Sequence, residues 1–317
     1  MDKKIILHIP HSSTKIINNN ETKKENLIYD STLNYLGKDV YLYIGQELYL
    51  NGLSVALRKY GYEGFMKDYK LKSSSLKNTY KPIIPEEKKY IEYDMGGKSI
   101  YDSLAGKYFK VINVFPHPEA KKNPEWYGNK FYLELEEKEK KNKLYFEYDS
   151  KYEFSFPFFV VGYFEKIRNK YVGFNYVLRS TYLKSSKELS TGKIIQNKPG
   201  QNWKCIDLTI EEQYFSLGFI LKNDLNEKIF VRYDYLVDQD DESQVFTLKE
   251  AETYKKKFGL SNWLTILNEE IKIGFTEEMV KVAWGEPKSI NKASYGEQWV
   301  YEEQYLYFEN GKLKAFN

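Results

Sequence analysis

A mainly β, multi-domain architecture is what this sequence predicts: small antiparallel barrel or sandwich units, followed by a C-terminal α+β domain built from a helix and a meander. Three observations predict it. Aromatic residues make up 17% of the chain, with 30 tyrosines among them, and tyrosine suits pleated, half-buried strands because its ring packs while its hydroxyl reaches water. Short runs alternate Tyr, Phe, Leu and Val with polar residues and are punctuated by glycines and polar links, the period-two pattern of strands. Helical periodicity with capping signals begins only near Val245.

At 317 residues the chain is longer than one average domain. Residues 1–36 read as a first strand, IILHIP, and an Asn/Lys-rich connection. Residues 37–103 read as a small β unit, in which DVYLYIGQELYL and GYEGFMKDYKL supply strands and KPIIPEEKK a connection. Residues 104–180 read as a barrel-like unit: GKYFKVINVF, KFYLELEEK, KLYFEYD and FPFFVVGYF have strand length, and residues 171–178 add a fifth. Residues 181–244 form a further β unit from NWKCIDLTI, YFSLGFILKN and KIFVRYDYLV, with a turn over 223–227.

The final unit, residues 245–317, opens with a capping box of Thr247 and Glu250; Leu248, Ala251, Tyr254 and Phe258 then recur at helical spacing until Gly259. Ser261 opens a second helical run, NWLTILNEE. Thr276 supplies a side-chain oxygen for the orphan amides of EEMVKVAW, and Glu277 and Glu278 suit the positive end of the helix dipole. Gly285 and Pro287 stop that helix. The period then changes to two, with Trp299 and Tyr301 on one face of a strand and Tyr305 and Tyr307 alternating with Leu306 and Phe308. Asn310-Gly311 is a two-residue hairpin signal, because both positions of such a turn need positive φ, and residues 312–316 return. A helix on a three-stranded meander is the expected arrangement.

The stretches IGFTEEMVKVAWGEP and EQWVYEEQYLYFENGKL resemble the SmpA/OmlA family of bacterial envelope lipoproteins and the similar β-lactamase-inhibitor-like domains, over roughly a seventh of the chain. The resemblance implies a protein-binding or assembly role through the sheet surface. The signal peptide and acylated cysteine of those lipoproteins have no counterpart near the start of this sequence, so anchoring is not carried over.

Composition narrows the partner class. Lys plus Arg exceed Asp plus Glu by three, with the signs mixed, so no basic stripe points to nucleic acid. No run of about twenty apolar residues points to a membrane span. The sequence as written is expected in the cytoplasm, and in the cell envelope if a leader precedes it. Cys205, the single cysteine, excludes an intrachain disulfide and reads as a small apolar strand residue.

Among chemical motifs, IILHIPHSST at 5–14 resembles the start of N-formylglutamate amidohydrolases. That resemblance implies zinc held by His8 and His11 as an alternative to a non-catalytic protein, since neutral imidazoles can hold a metal with a position left for water. The alternating strand–helix units such an enzyme needs do not follow. His117 lies in FPHPEA beside Glu119 and reads as a surface turn. DQDDES at 238–243 lacks the glycine and bidentate Glu of a calcium loop, and MGGKS at 95–99 lacks the upstream glycine of a phosphate loop. Ser12, Ser13 and Cys205 have no local base to mark a nucleophile. The favoured site is therefore an interface on the terminal hairpin, made by Trp299, Tyr301, Tyr305 and Tyr307 on one face. It serves an unidentified protein partner, with no cofactor and no catalytic residue. Carbohydrate binding through Trp126 or Trp203 is a third reading. Oligomeric state has no signature in the sequence.

Overall fold

The computed structural model describes residues 28–71, 76–83, 98–196, 198–211, 215–237, 245–294, 296–302 and 304–317. His8, His11, Ser12, Ser13, the acidic run at 238–243 and the first three residues of MGGKS lie outside them. The chain divides into two compact units. Among the described residues the first holds 28–170 with Phe215, and the second holds 171–211 and 216–317.

Tyrosine chemistry explains the first unit. Its strands are β1 (Glu47–Leu50), β2 (Phe65–Met66), β3 (Tyr108–Pro116), β4 (Lys130–Glu137), β5 (Lys143–Asp149) and β6 (Phe158–Val160), with helix α1 (Pro124–Tyr127) before β4 and α2 (Val161–Tyr171) after β6. They form one open antiparallel sheet in the order β2-β5-β4-β3-β1-β6. Alternation buries Phe109, Val111, Leu133, Leu135, Leu144 and Phe146 on one face. Tyrosine rings enter the same core while their hydroxyls reach loop carbonyls. Tyr43 donates to Asn34 O at 2.9 Å and accepts from the Leu36 amide, Tyr148 donates to Gly37 O at 3.0 Å, and Tyr62 donates to Asn51 O at 2.6 Å.

Two expectations for this stretch change. No sheet among the described residues closes into a barrel: this one ends at β2 and β6. Residue 104, expected to separate two β units, lies between strands of a single sheet, because β1 and β2 pair with β3 and β5. The run FPFFVVGYF also divides. After Val160 the buried positions Val161, Phe164 and Ile167 recur every three residues and carry the chain into α2.

The second unit begins with β7 (Asn175–Leu178), α3 (Ser180–Ser185), β8 (Asn202–Ile210), β9 (Leu217–Asn223), β10 (Lys228–Arg232), α4 (Tyr233–Val237) and β11 (Val245–Thr247). These strands make an antiparallel sheet ordered β10-β9-β8-β7-β11. Cys205 is buried in β8, and burial pushes its thiol pKa up to about 12. Then come α5 (Leu248–Phe258), α6 (Leu260–Leu267) and α7 (Glu277–Trp284), followed by β12 (Ser289–Ala293), β13 (Gly296–Val300), β14 (Tyr305–Glu309) and β15 (Lys312–Phe316) in that order across a third antiparallel sheet. The Thr247–Glu250 capping box forms, and Thr276 Oγ1 accepts from the Met279 amide. Gly259, not Ser261, caps α6. The meander has a fourth strand, β12, beyond the three expected.

Arg179 ties this unit together. It follows β7, is buried, and donates to Ile266 O and Ala283 O at 3.2 Å and to Val282 O at 2.8 Å. Those carbonyls belong to the last turns of α6 and α7, where no intrahelical donor exists. Burial lowers the guanidinium pKa while Glu269, 3.7 Å away, opposes that shift, and the group remains charged. Replacing Arg179 by Met takes the guanidinium donor from the Val282 and Ala283 carbonyls and leaves Ile266 O with the Glu269 amide alone. The expected cost is about 3 to 5 kcal/mol, read as a fall in the urea midpoint, and Lys should recover only part of it.

Candidate functional site

The terminal sheet is built so that its two faces differ in kind. Cross-strand register sets Trp299 opposite Leu306 and Glu297 opposite Phe308 on one side, and Gln298 opposite Tyr307 and Val300 opposite Tyr305 on the other. The first side packs under α7, where Val280, Ala283, Trp299, Leu306, Phe308 and Leu313 share one core. The second side is open. Asn310 and Gly311 take φ of 51° and 69°, the conformation a tight hairpin needs. At Gly296 a Cβ would lie 2.1 Å from the carbonyl oxygen of Phe308, so only glycine lets β13 begin this close to β14.

The four aromatic residues expected on one face therefore separate into two pairs. Trp299 is buried, with its ring 4.4 Å from that of Phe308 and its indole N–H donating to Glu297. Tyr301 meets Trp284 edge-on at 5.5 Å and donates to Gly285 O at 2.9 Å, which clasps the end of α7. Tyr305 and Tyr307 point outward and are 42% and 39% exposed. The period-two pattern separates Tyr305 and Tyr307 from Leu306 and Phe308 within β14, but which side Trp299 takes depends on the register of β13 with β14 and on α7 packing beneath it.

Sequence reasoning missed the polar floor beside the two tyrosines. Asn291 Nδ2 donates to Gln298 Oε1 at 3.0 Å, and Gln298 Nε2 donates to the Tyr307 hydroxyl at 3.1 Å. The ladder crosses β12, β13 and β14 and leaves the Tyr307 proton and Asn291 Oδ1 for a ligand. It floors a concavity of about 450 Å³ that Ala293, Glu309 and Lys314 help to line. Lys292 pairs with Glu297 at 2.9 Å and Lys314 with Glu309 at 3.9 Å, so the rim charges are matched. The Lys292 ammonium, then the Trp299 indole, hold the Glu297 carboxyl below its usual range. Amides, a phenol and matched ion pairs thus line the concavity. The available signal was Gly296, which lets a strand over 289–293 pair with one that begins at residue 296.

No family model, curated protein or solved structure matches this chain.

The remaining candidates lie elsewhere. Among the described residues no group of three or more His, Cys, Asp or Glu side chains is placed to hold a metal, and no helix is long and apolar enough to cross a membrane. Trp126 is 78% exposed on α1, whereas Trp203 is fully buried in β8 and cannot meet a sugar. His117 stacks on Tyr127 with ring centres 4.1 Å apart and accepts the Glu119 amide at Nδ1. It thereby helps to fix the turn that follows β3.

Two measurements check this division. Trp299→Ala should cost about 3 to 5 kcal/mol of stability, and Tyr307→Ala less than about 0.5 kcal/mol; similar losses for both would show that the outer face is core.

The second concerns pH. Burial lowers the His117 pKa, with Lys130 acting in the same sense and Glu147 and Glu119 opposing. The unfolded chain then binds the proton more readily, so the stability from this site is complete above about pH 6.5 and is lost as pH falls toward the lowered value. Urea midpoints should drop less between pH 7.5 and 5.5 in His117→Asn, which keeps an acceptor for the Glu119 amide, than in the parent. An equal drop in both rules the site out.

Proposed function

We propose that this protein is a non-catalytic binding or assembly component, modular in construction, that engages a protein partner through the outer face of its C-terminal sheet. One observation carries the reading: Tyr305 and Tyr307 stand exposed beside a ready-made amide and phenol ladder over a concavity of about 450 Å³. Two neighbouring half-exposed tyrosines supply a large apolar area with a polar tip at little entropic cost, the usual material of interface anchors. Matched rim charges favour recognition by shape and hydrogen bonding over long-range attraction. The SmpA/OmlA-like pattern of helix, Gly-x-Pro stop and aromatic hairpin implies the same kind of role.

The test compares proteins captured from native lysate by the parent chain and by a Tyr305→Ala, Tyr307→Ala variant, with thermal unfolding measured in parallel. The expected outcome is a partner recovered by the parent and at least about tenfold depleted on the variant, as loss of an anchor worth about 1 to 2 kcal/mol requires. Unfolding should stay nearly unchanged. Identical captures would remove this face from the function.

A further inference from the structure

Among the described residues, every sheet edge except one is short or closed. Beyond β2, residues 78–80 run alongside: Lys67 N–H donates to Asn78 O at 2.8 Å and Tyr80 N–H to Phe65 O at 3.0 Å. The Asn34 side chain closes β6 by donating to Phe158 O and accepting from the Val160 amide, both at 2.8 Å. Leu189 N–H and the Tyr182 hydroxyl donate to the carbonyls of Lys228 and Phe230 along β10. On β15, Gly274 N–H donates to Leu313 O and Leu313 N–H to Phe275 O, each at 2.8 Å. The edge strand β11 is three residues long, two of them buried, and passes straight into α5.

The exception is β12. All five of its residues are exposed, and no strand lies beyond it among the described residues. Edges left open are commonly blunted by lysine or proline. Here the ammonium groups of Lys288 and Lys292 are drawn to Glu302 and Glu297 at 3.0 and 2.9 Å. Pro287 precedes the strand and does not interrupt it.

We infer that β12 receives an extended, uncharged segment of a partner protein as a fifth strand of the C-terminal sheet. This rests on the binding role proposed above and names the partner's form. Backbone pairing supplies affinity in such additions, and pockets for alternate side chains supply choice. One set of alternate side chains on the incoming strand meets Ile290, which is 38% exposed and pairs with Trp299. The other set faces Asn291 and Ala293 at the mouth of the concavity. Because Lys292, Glu297, Glu309 and Lys314 are already paired, a charged segment would meet no unmatched partner. Alternating aliphatic and uncharged polar residues fit best.

The experiment uses a phage-displayed library of random linear heptapeptides selected against the full chain. An enriched peptide is synthesised in two forms, each N-methylated at one set of alternate residues. One form should bind about tenfold more weakly, as the loss of strand hydrogen bonds requires, and the other nearly as well as the parent peptide. The parent peptide should slow amide exchange over residues 289–293 and bind weakly to Ile290→Lys. Binding that ignores both methylated forms and leaves that exchange unchanged, yet is lost in Tyr305→Ala, Tyr307→Ala, overturns strand addition and leaves the face reading intact. Absence of enriched peptides, or peptides insensitive to all these changes, overturns both. A concentration-dependent dimer in sedimentation that disappears in Ile290→Lys would make the occupant a second copy and overturn the present assignment.

Discussion

One buried guanidinium sets the geometry on which the candidate face depends. Helices α6 and α7 each end with carbonyls that no intrahelical amide can reach, and both ends carry the negative pole of their dipoles. Backbone amides take up some of these groups: Asn268 N–H donates to the carbonyls of Leu264 and Thr265, and Gly285 N–H to that of Lys281. Arg179 takes Val282 and Ala283, and shares Ile266 with the Glu269 amide. Its plane also lies over the Phe246 ring at 5.1 Å, so the stem is packed as well as bonded. A planar fork with five donors can serve two helix ends at once; an ammonium on a flexible stem cannot hold the same angles. Since α7 supplies the underside of the terminal sheet, the placement of Trp299, and hence of the opposite face, traces back to this residue.

Tyrosine plays the corresponding part in the first unit. An abundance of tyrosine invites the idea of an adhesive surface, yet Tyr43, Tyr62 and Tyr148 are all buried. Each places its ring among core side chains and its hydroxyl on a carbonyl of a connecting loop. Phenylalanine would give the same apolar burial and leave those carbonyls unsatisfied, at about 1 to 3 kcal/mol each. Tyrosine at these three positions thus pins irregular connections to a sheet. Tyr305 and Tyr307 are placed otherwise: both stand outward, and the Tyr307 hydroxyl receives a bond from Gln298.

What could be read from the chain alone was local. The Thr247 capping box, the Thr276 cap, the Asn310-Gly311 turn and the period-two runs of β3, β4, β5, β8 and β14 each depend on residues a few positions apart, and each appears. Nonlocal features stayed hidden. Nothing near residues 47–50 says that β1 lies between β3 and β6, and nothing near Arg179 says that two helix ends from a hundred residues further on converge there. The helix α2 was obscured for a different reason: its first turn, VGYF, follows a β-branched and aromatic run and continues its texture, and the period of three emerges only when the polar residues after Phe164 are counted. Strand β12 escaped notice because SINKA has one large apolar residue, which is what an edge with little buried area requires.

The same locality bears on how the candidate site should be weighed. A sheet covered on one side by a helix is complete as a folding unit once its inner face is apolar, and the terminal sheet meets that condition with Trp299, Leu306, Phe308 and Leu313. The outer face is then under no folding constraint to be aromatic. Threonine or lysine would serve β14 there equally well and would keep apolar surface out of water, worth roughly 25 cal/mol per Å². Tyr307 in register with an amide ladder, and Tyr305 beside it on the same face, next to the one edge without a closing group among the described residues, are therefore a departure from what stability alone selects. Departures of that kind, where local choices no longer serve the fold, are where binding is to be sought.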